Sequence, residues 1–235
     1  MIPWLVGPPH FPPLSAALRN PNGLLAAGGD LTPDWLIEAY RHGVFPWYND
    51  GEPILWWSPD PRMILYPAQV RISRSLRRVL RRGDYEVRCD SAFAEVLQAC
   101  AAPRHPGGGT WITEEMREAY LAMHELGYAH SVECWRNDEL VGGLYGMAFG
   151  AAFFGESMFC RVTDASKIAL AHLARHLDRK GFAVIDCQMQ TAHLASLGAE
   201  SIPRAEFVAL LNATIPRGPA PGHWPRDAMA DIAWT

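Results

Sequence analysis

The chain has 235 residues, 49% of them hydrophobic and 20% charged, with a formal net charge of −4. That composition reads as globular with room for a substantial core, and the charge argues against a protein that coats nucleic acid with its whole surface. Met1 leads into a proline-rich opening, with no basic stretch feeding an apolar one and no apolar run of about 18 residues, so a soluble, cytoplasmic protein without membrane contact is expected.

Residues 1–61 are rich in Pro, Gly and Trp and carry one convincing helix. Thr32 suits its N-cap and Pro33 its first position, Trp35, Leu36, Ala39 and Tyr40 form an apolar face, and Gly43 follows the last turn. The remainder of this stretch reads as short strands and loops. Such a unit would lean on a larger partner, with "SPDPR" at 58–62 as the linker, so the expected domains are 1–61 and 62–235.

"RISRSLRRVLRRG" (71–83) contains six arginines and no acid. Leu76 and Leu80 recur at helical spacing, and Arg74, Arg77, Arg78, Arg81 and Arg82 follow an i, i+3, i+4, i+7, i+8 pattern. Like charges so spaced repel each other, and their planar forks suit phosphate, so the stripe reads as a phosphate-contacting surface.

Beyond it, Asp90 or Ser91 would cap a helix carrying Phe93, Val96, Leu97 and Cys100, and Thr113 another carrying Met116, Ala119, Tyr120 and Met123. "PRHPGGG" (103–109) between them reads as a glycine-rich insertion. "AHSVECW", "LVGGLYGMAFG" and "AAFFGESMF" then form an antiparallel meander whose first turn is "RNDE". A helix over about 164–180 leads into "GFAVIDCQMQ" (181–190). Strand alternation puts Asp186, Gln188 and Gln190 on one face, which must either meet solvent or line a working cleft, because a carboxylate buried alone costs several kcal/mol. The tail 216–235 reads as an extended surface segment without an assigned role.

The five cysteines, at 89, 100, 134, 160 and 187, form no CxxC pair and leave one over. Reduced thiols are expected, with neither a disulfide framework nor a zinc site. His172 and His176 lie four apart on a helix, but without HExxH or a nearby cysteine they read as helix-surface histidines, so no metal is expected.

The order of helices, antiparallel meander, helix and strand resembles the acyltransferase fold named for general N-acetyltransferases (GNAT). The fold expected is therefore α+β, a small N-terminal α/β domain followed by a GNAT-like domain with a mixed, mainly antiparallel central sheet. The coenzyme A-binding members of that fold have a Q/R-x-x-G-x-G/A loop where this chain reads "CRVTDASK". Without those glycines coenzyme A is a poor donor, and another activated acyl group is favoured.

Eight motifs in order, "PNGLLAAGGDLTPDWL", "GVFPWYNDGEPILWWSPDPR", "TWIT", "LVGGLYG", "GESMF", "ASKIAL", "IDCQ" and "HLASLGAESIPR", resemble the leucyl/phenylalanyl-tRNA–protein transferases from about residue 11 to 215. The resemblance implies a cytoplasmic bacterial aminoacyltransferase that needs no cofactor. It would move leucine or phenylalanine, with methionine as a further candidate, from aminoacyl-tRNA to the N-terminal amino group of proteins beginning with Arg or Lys, making a degradation signal.

By the same resemblance, Asp186, Gln188 and Glu156 belong to the catalytic site, with Asp186 accepting a proton from the incoming amine or orienting it. Trp47 and Trp111 lie at the substrate, and Leu144, Phe153, Met158, Leu170 and Ile185 form the side-chain pocket. The arginine stripe would hold the tRNA body, and the protein would act as a monomer. The alternatives are a coenzyme A-dependent N-acetyltransferase and a non-catalytic RNA- or peptide-binding module.

Overall fold

The structure, a computed structural model, describes residues 2–102 and 110–234, so the glycine-rich insertion at 103–109 lies outside the described residues. The N-terminal part holds β1 (Trp4–Leu5), β2 (Leu24–Gly28), α1 (Pro33–Arg41), β3 (Phe45–Pro46) and β4 (Leu55–Trp57). These strands form a sheet of order β1-β2-β4-β3. α1 begins with Pro33, as its fixed φ favours. Thr32 precedes it without a side-chain capping bond, while its own N–H donates to Asp30 at 3.2 Å.

The second part contains β5 (Arg62–Leu65), α2 (Arg74–Arg82), β6 (Glu86–Cys89), α3 (Phe93–Ala101) and α4 (Glu114–Glu125). The meander β7 (Ala129–Arg136), β8 (Glu139–Phe149) and β9 (Ala152–Cys160) follows, then α5 (Ala165–Arg179) and β10 (Val184–Gln188). Helix α6 (Ala192–Ser196), β11 (Glu200–Ile202) and α7 (Arg204–Thr214) complete it. The seven strands run β11-β5-β10-β9-β8-β7-β6, antiparallel except for the β9–β10 pair. The fold is thus α+β with a mainly antiparallel sheet, as expected.

One face of this sheet carries α3, α4 and the N-terminal part in a single core, where Tyr40 stacks on Phe149 at 5.6 Å and meets Phe154 edge-on at 5.2 Å. The other face carries α5 and the tail. Two glycines permit this closeness. A Cβ on Gly142 would lie 2.5 Å from that of Ala165 at the start of α5, and one on Gly146 would lie 2.2 Å from the Phe154 carbonyl.

Three local expectations change. α3 is capped by neither Asp90 nor Ser91 through its own side chain; Glu133, buried on β7, accepts the N–H groups of Ser91 and Ala92 at 3.0 Å each. The carboxylate arrives from 41 residues away, out of reach of any local pattern. His172 and His176 are buried rather than on the surface. The first donates Nδ1–H to Ile168 O at 2.9 Å and accepts from the Trp234 indole at 3.0 Å. The tail, finally, packs Met229 and Ile232 into the core. Its apolar residues have no period among its prolines and glycines, which is why it reads as surface.

Candidate active site

The parallel pair creates the site. β10 pairs with β9 from Val184↔Ala152 to Asp186↔Phe154, and beyond that the two strands part. β10 also shifts register against β5 between Asp186 and Gln188, and Gln188 takes a left-handed φ of 61°. This bulge re-aims the strand, so the even alternation expected for Asp186, Gln188 and Gln190 does not hold. Asp186 turns into the interior, Gln188 turns towards Glu156, and Gln190 lies exposed past the strand's end.

A cavity of about 560 Å³ opens where the strands part. Its apolar body includes Leu144, Phe153, Leu170 and Ile185, all buried, with the half-buried, adaptable Met158 beside them. Trp47 and Trp111 line it from the N-terminal part and from the segment before α4, and Trp47 is held by a bond from the Trp57 indole to its carbonyl at 2.7 Å. Glu156 and Gln188 supply polar groups. Every side chain named from the sequence as catalytic or substrate-binding is therefore at this cavity except Asp186.

Asp186 is fully buried against Arg62, a residue that the linker reading overlooked. Its Oδ1 accepts from Arg62 Nε at 2.8 Å and from the Gln188 backbone N–H at 2.9 Å, and its Oδ2 accepts from an Arg62 terminal nitrogen at 2.6 Å. Arg62 also donates to Gly43 O at 3.1 Å and lies between the rings of Phe45 and Phe207, 4.8 and 4.7 Å from their centroids. With both oxygens so occupied and no exposed surface, Asp186 does not itself line the cavity. What it does is clamp the backbone of Gln188.

Glu156 has the opposite surroundings. Its Oε1 accepts from Tyr40 OH at 2.7 Å and from the Gln188 amide at 3.1 Å, and its Oε2 accepts from Tyr120 OH at 3.0 Å. The two hydroxyls are 2.7 Å apart. Burial pushes its carboxyl from the ordinary 4.5 up to about 7, against the pull of the three hydrogen bonds, with the Asp186 charge adding to the rise. Burial likewise raises both tyrosines well above 10.0, so they remain donors. Three oxygen–oxygen contacts require three protons and the tyrosines supply two; the third is present only when Glu156 is protonated. The triangle is built to hold and exchange one proton near neutrality. The tyrosines were named from the sequence only as apolar-face residues, and their hydroxyls gave no local signal of a shared partner 116 and 36 residues away.

The five arginines of α2 are all exposed, over buried Leu76 and Leu80. Ser73 caps the helix by accepting from Leu76 N at 3.1 Å, and Gly83 ends it at a φ of 64°. Among the described residues, only Arg82 of the five pairs with an acid, Asp84 at 3.1 Å. The segment entering α2 is tied to α6 through Arg71 N–H to Leu197 O at 2.8 Å, and α6 lines the cavity with His193 and Leu194. At the start of α5, where a coenzyme A pyrophosphate would need glycine amides, Asp164 pairs with Lys167 at 2.7 Å.

Fold and site together define an acyl-transferring α+β protein: an apolar chamber at a strand split, ended by a carboxyl that titrates near neutrality. The family described as "Leucyl/phenylalanyl-tRNA protein transferase" matches residues 64–212, and its N-terminal domain matches residues 29–60. The protein named leucyl/phenylalanyl-tRNA–protein transferase in Azoarcus sp. (strain BH72) is 66% identical over 234 residues, covering 100% of both chains. The one in Aromatoleum aromaticum is 65% identical, covering 99% of this chain and 98% of its own. A GCN5-related N-acetyltransferase from Kribbella flavida aligns over 72% of this chain and 60% of its own, at 12% identity and a TM-score of 0.37. The chain belongs to the leucyl/phenylalanyl-tRNA–protein transferase family, and it is an aminoacyl-tRNA–protein transferase. No helix among the described residues is long and apolar enough to cross a membrane.

Proposed function

We propose that the chain transfers leucine or phenylalanine, and methionine as a further substrate, from aminoacyl-tRNA to the α-amino group of proteins beginning with Arg or Lys, marking them for degradation. It acts as a cytoplasmic monomer, with residues 1–61 as a small domain over the acyltransferase domain 62–235. The observation that carries this reading is the contact of a near-neutral carboxyl, Glu156, with Gln188 beside a 560 Å³ apolar chamber. The chamber takes the amino acid side chain, with Leu144, Phe153, Met158, Leu170 and Ile185 setting its volume. Trp47 and Trp111 offer faces to the terminal adenosine, worth about 1–3 kcal/mol per stacked base.

The ester of aminoacyl-tRNA is already activated, so the work is alignment and proton handling. The incoming amine titrates near 7.7–8.0, close to Glu156. Glu156 as carboxylate takes a proton from the nitrogen as it bonds to the ester carbonyl carbon. The bond from that carbon to the ribose oxygen then breaks, and the proton goes to the departing oxygen, returning Glu156 to its starting state. Gln188 orients the reacting groups through its amide, and Asp186, with Arg62, fixes the backbone from which that amide extends. Arg74, Arg77, Arg78, Arg81 and Arg82 hold the tRNA backbone outside the cavity.

The test is transfer of labelled leucine from charged tRNA to a peptide beginning with arginine, expected without added nucleotide or coenzyme A. An absolute requirement for either, or equal transfer to peptides beginning with any residue, overturns the reading. Reversing Arg77, Arg78, Arg81 and Arg82 to Glu should impair use of whole aminoacyl-tRNA and spare aminoacyl-adenosine; equal losses on both donors would remove the stripe from tRNA binding.

A further inference from the structure

We propose that Asp90, His124 and His223 form a zinc site that clamps the C-terminal tail to the acyltransferase domain. The three come from the loop after β6, the last turn of α4 and the tail, so no sequence spacing announces them. Each offers one ligand atom, and the three atoms lie within 4.8 Å of one another.

Each ligand has the support that metal ligands require. His124 donates Nδ1–H to Ala129 O at 2.8 Å, which sets its tautomer and leaves Nε2 as the lone-pair nitrogen. Its ring lies flat on Phe93, with centroids 4.2 Å apart and an interplanar angle of 2°. Asp90 is held at a left-handed φ of 49° with its side chain 5% exposed. Its Oδ1 accepts from Ser131 N at 2.8 Å, and its Oδ2 accepts from His130 Nδ1 at 2.8 Å and from Trp224 N at 2.9 Å. A carboxylate has about four lone-pair positions, so one, on Oδ1, remains.

His223 is exposed, yet its backbone is pinned on both sides: Gly222 N–H donates to Gly127 O at 2.9 Å, and Trp224 N–H to Asp90. Its ring lies 5.3 Å from that of His124 at 75°. Two imidazoles and a carboxylate with open positions for water suit zinc among divalent ions. Tetrahedral zinc at bond lengths near 2.1 Å brings ligand atoms to about 3.4 Å of each other, a contraction that rotation of the exposed His223 side chain can supply.

The clamp would hold the wall of the acyl chamber. Trp224, next to His223, stacks on His130 at 4.1 Å and approaches the cavity residue Phe153 at 6.0 Å.

The full chain, stripped with a chelator, should bind one zinc ion in calorimetry and melt at a higher temperature with zinc than without. His223→Ala, at an exposed position and expected to fold, should weaken zinc binding at least tenfold, as loss of one ligand does, and remove the melting shift; His124→Gln should do the same. Cobalt should give only the weak bands of nitrogen and oxygen ligation. Equal zinc affinity in the wild type and His223→Ala, no binding at micromolar zinc, or a strong thiolate band with cobalt that survives His223→Ala would each overturn the proposal.

Discussion

Two carboxyl groups stand either side of the point where β9 and β10 part, and they differ in every respect that decides what a carboxyl does. Asp186 is fully buried with a guanidinium on both oxygens, whereas Glu156 meets only hydroxyls and an amide and is pushed up to about 7. A guanidinium occupies both oxygens of the first; the lack of one leaves the second, raised by burial, able to exchange a proton near neutral pH. Gln188 touches both, by its backbone to Asp186 and by its side chain to Glu156. The division of labour therefore lies in whether a cation is present, and substitutions in the ion pair, at Glu156 and at Gln188 test it.

The largest effect belongs to the ion pair. Arg62→Met or Asp186→Asn leaves a buried charge without its partner, at a cost of about 3–5 kcal/mol, so melting should fall by roughly 6–20 °C for a chain of this size. Near isostery does not protect Asp186→Asn, because the Arg62 charge remains. The double change Arg62→Met with Asp186→Leu should recover most of the melting temperature while transfer stays impaired, since Gln188 loses its backbone anchor. Full activity in Asp186→Asn would remove Asp186 from the site altogether.

Glu156→Gln should lower transfer by about 10² at neutral pH while keeping the fold. The wild-type rate should climb as pH rises through about 7, where Glu156 loses its proton, and the variant should lose that part of the rise and keep only the one set by the amine near 7.7–8.0. Stability moves in the opposite sense. The folded pKa lies above the unfolded one, so the protonated form stabilises fully below pH 4.5 and the contribution disappears as pH rises through about 7. Glu156→Gln has no such loss, and melting at pH 5 and pH 8 should show it gaining on the wild type by at most about 3 kcal/mol. A constant gap between the two proteins would mean that Glu156 is already ionised at pH 5.

The smallest effect sharpens the line between the two groups. Gln188→Ala retains the backbone N–H to Asp186 and removes the amide from Glu156, so stability should change by about 1 kcal/mol or less while transfer falls roughly tenfold. A melting loss as large as that of Arg62→Met would show that Gln188 serves the ion pair more than the cavity.

Sequence by itself determined the α+β layout, the start of α1 and of α4, the meander, the arginine face and the residues gathered at the cavity. Those features are written in local period, capping residues and ordered motifs, and each depends on neighbours a few positions away. Tertiary structure alone decided that Asp186 faces Arg62, across 124 residues, through a bulge that strand alternation does not foresee. It also put Tyr40 and Tyr120 on Glu156, Glu133 at the start of α3 and the tail in the core. The physical reason is the same throughout: a polar side chain's role is set by the partner that replaces water around it. In this protein those partners come from distant strands and helices brought together by apolar burial.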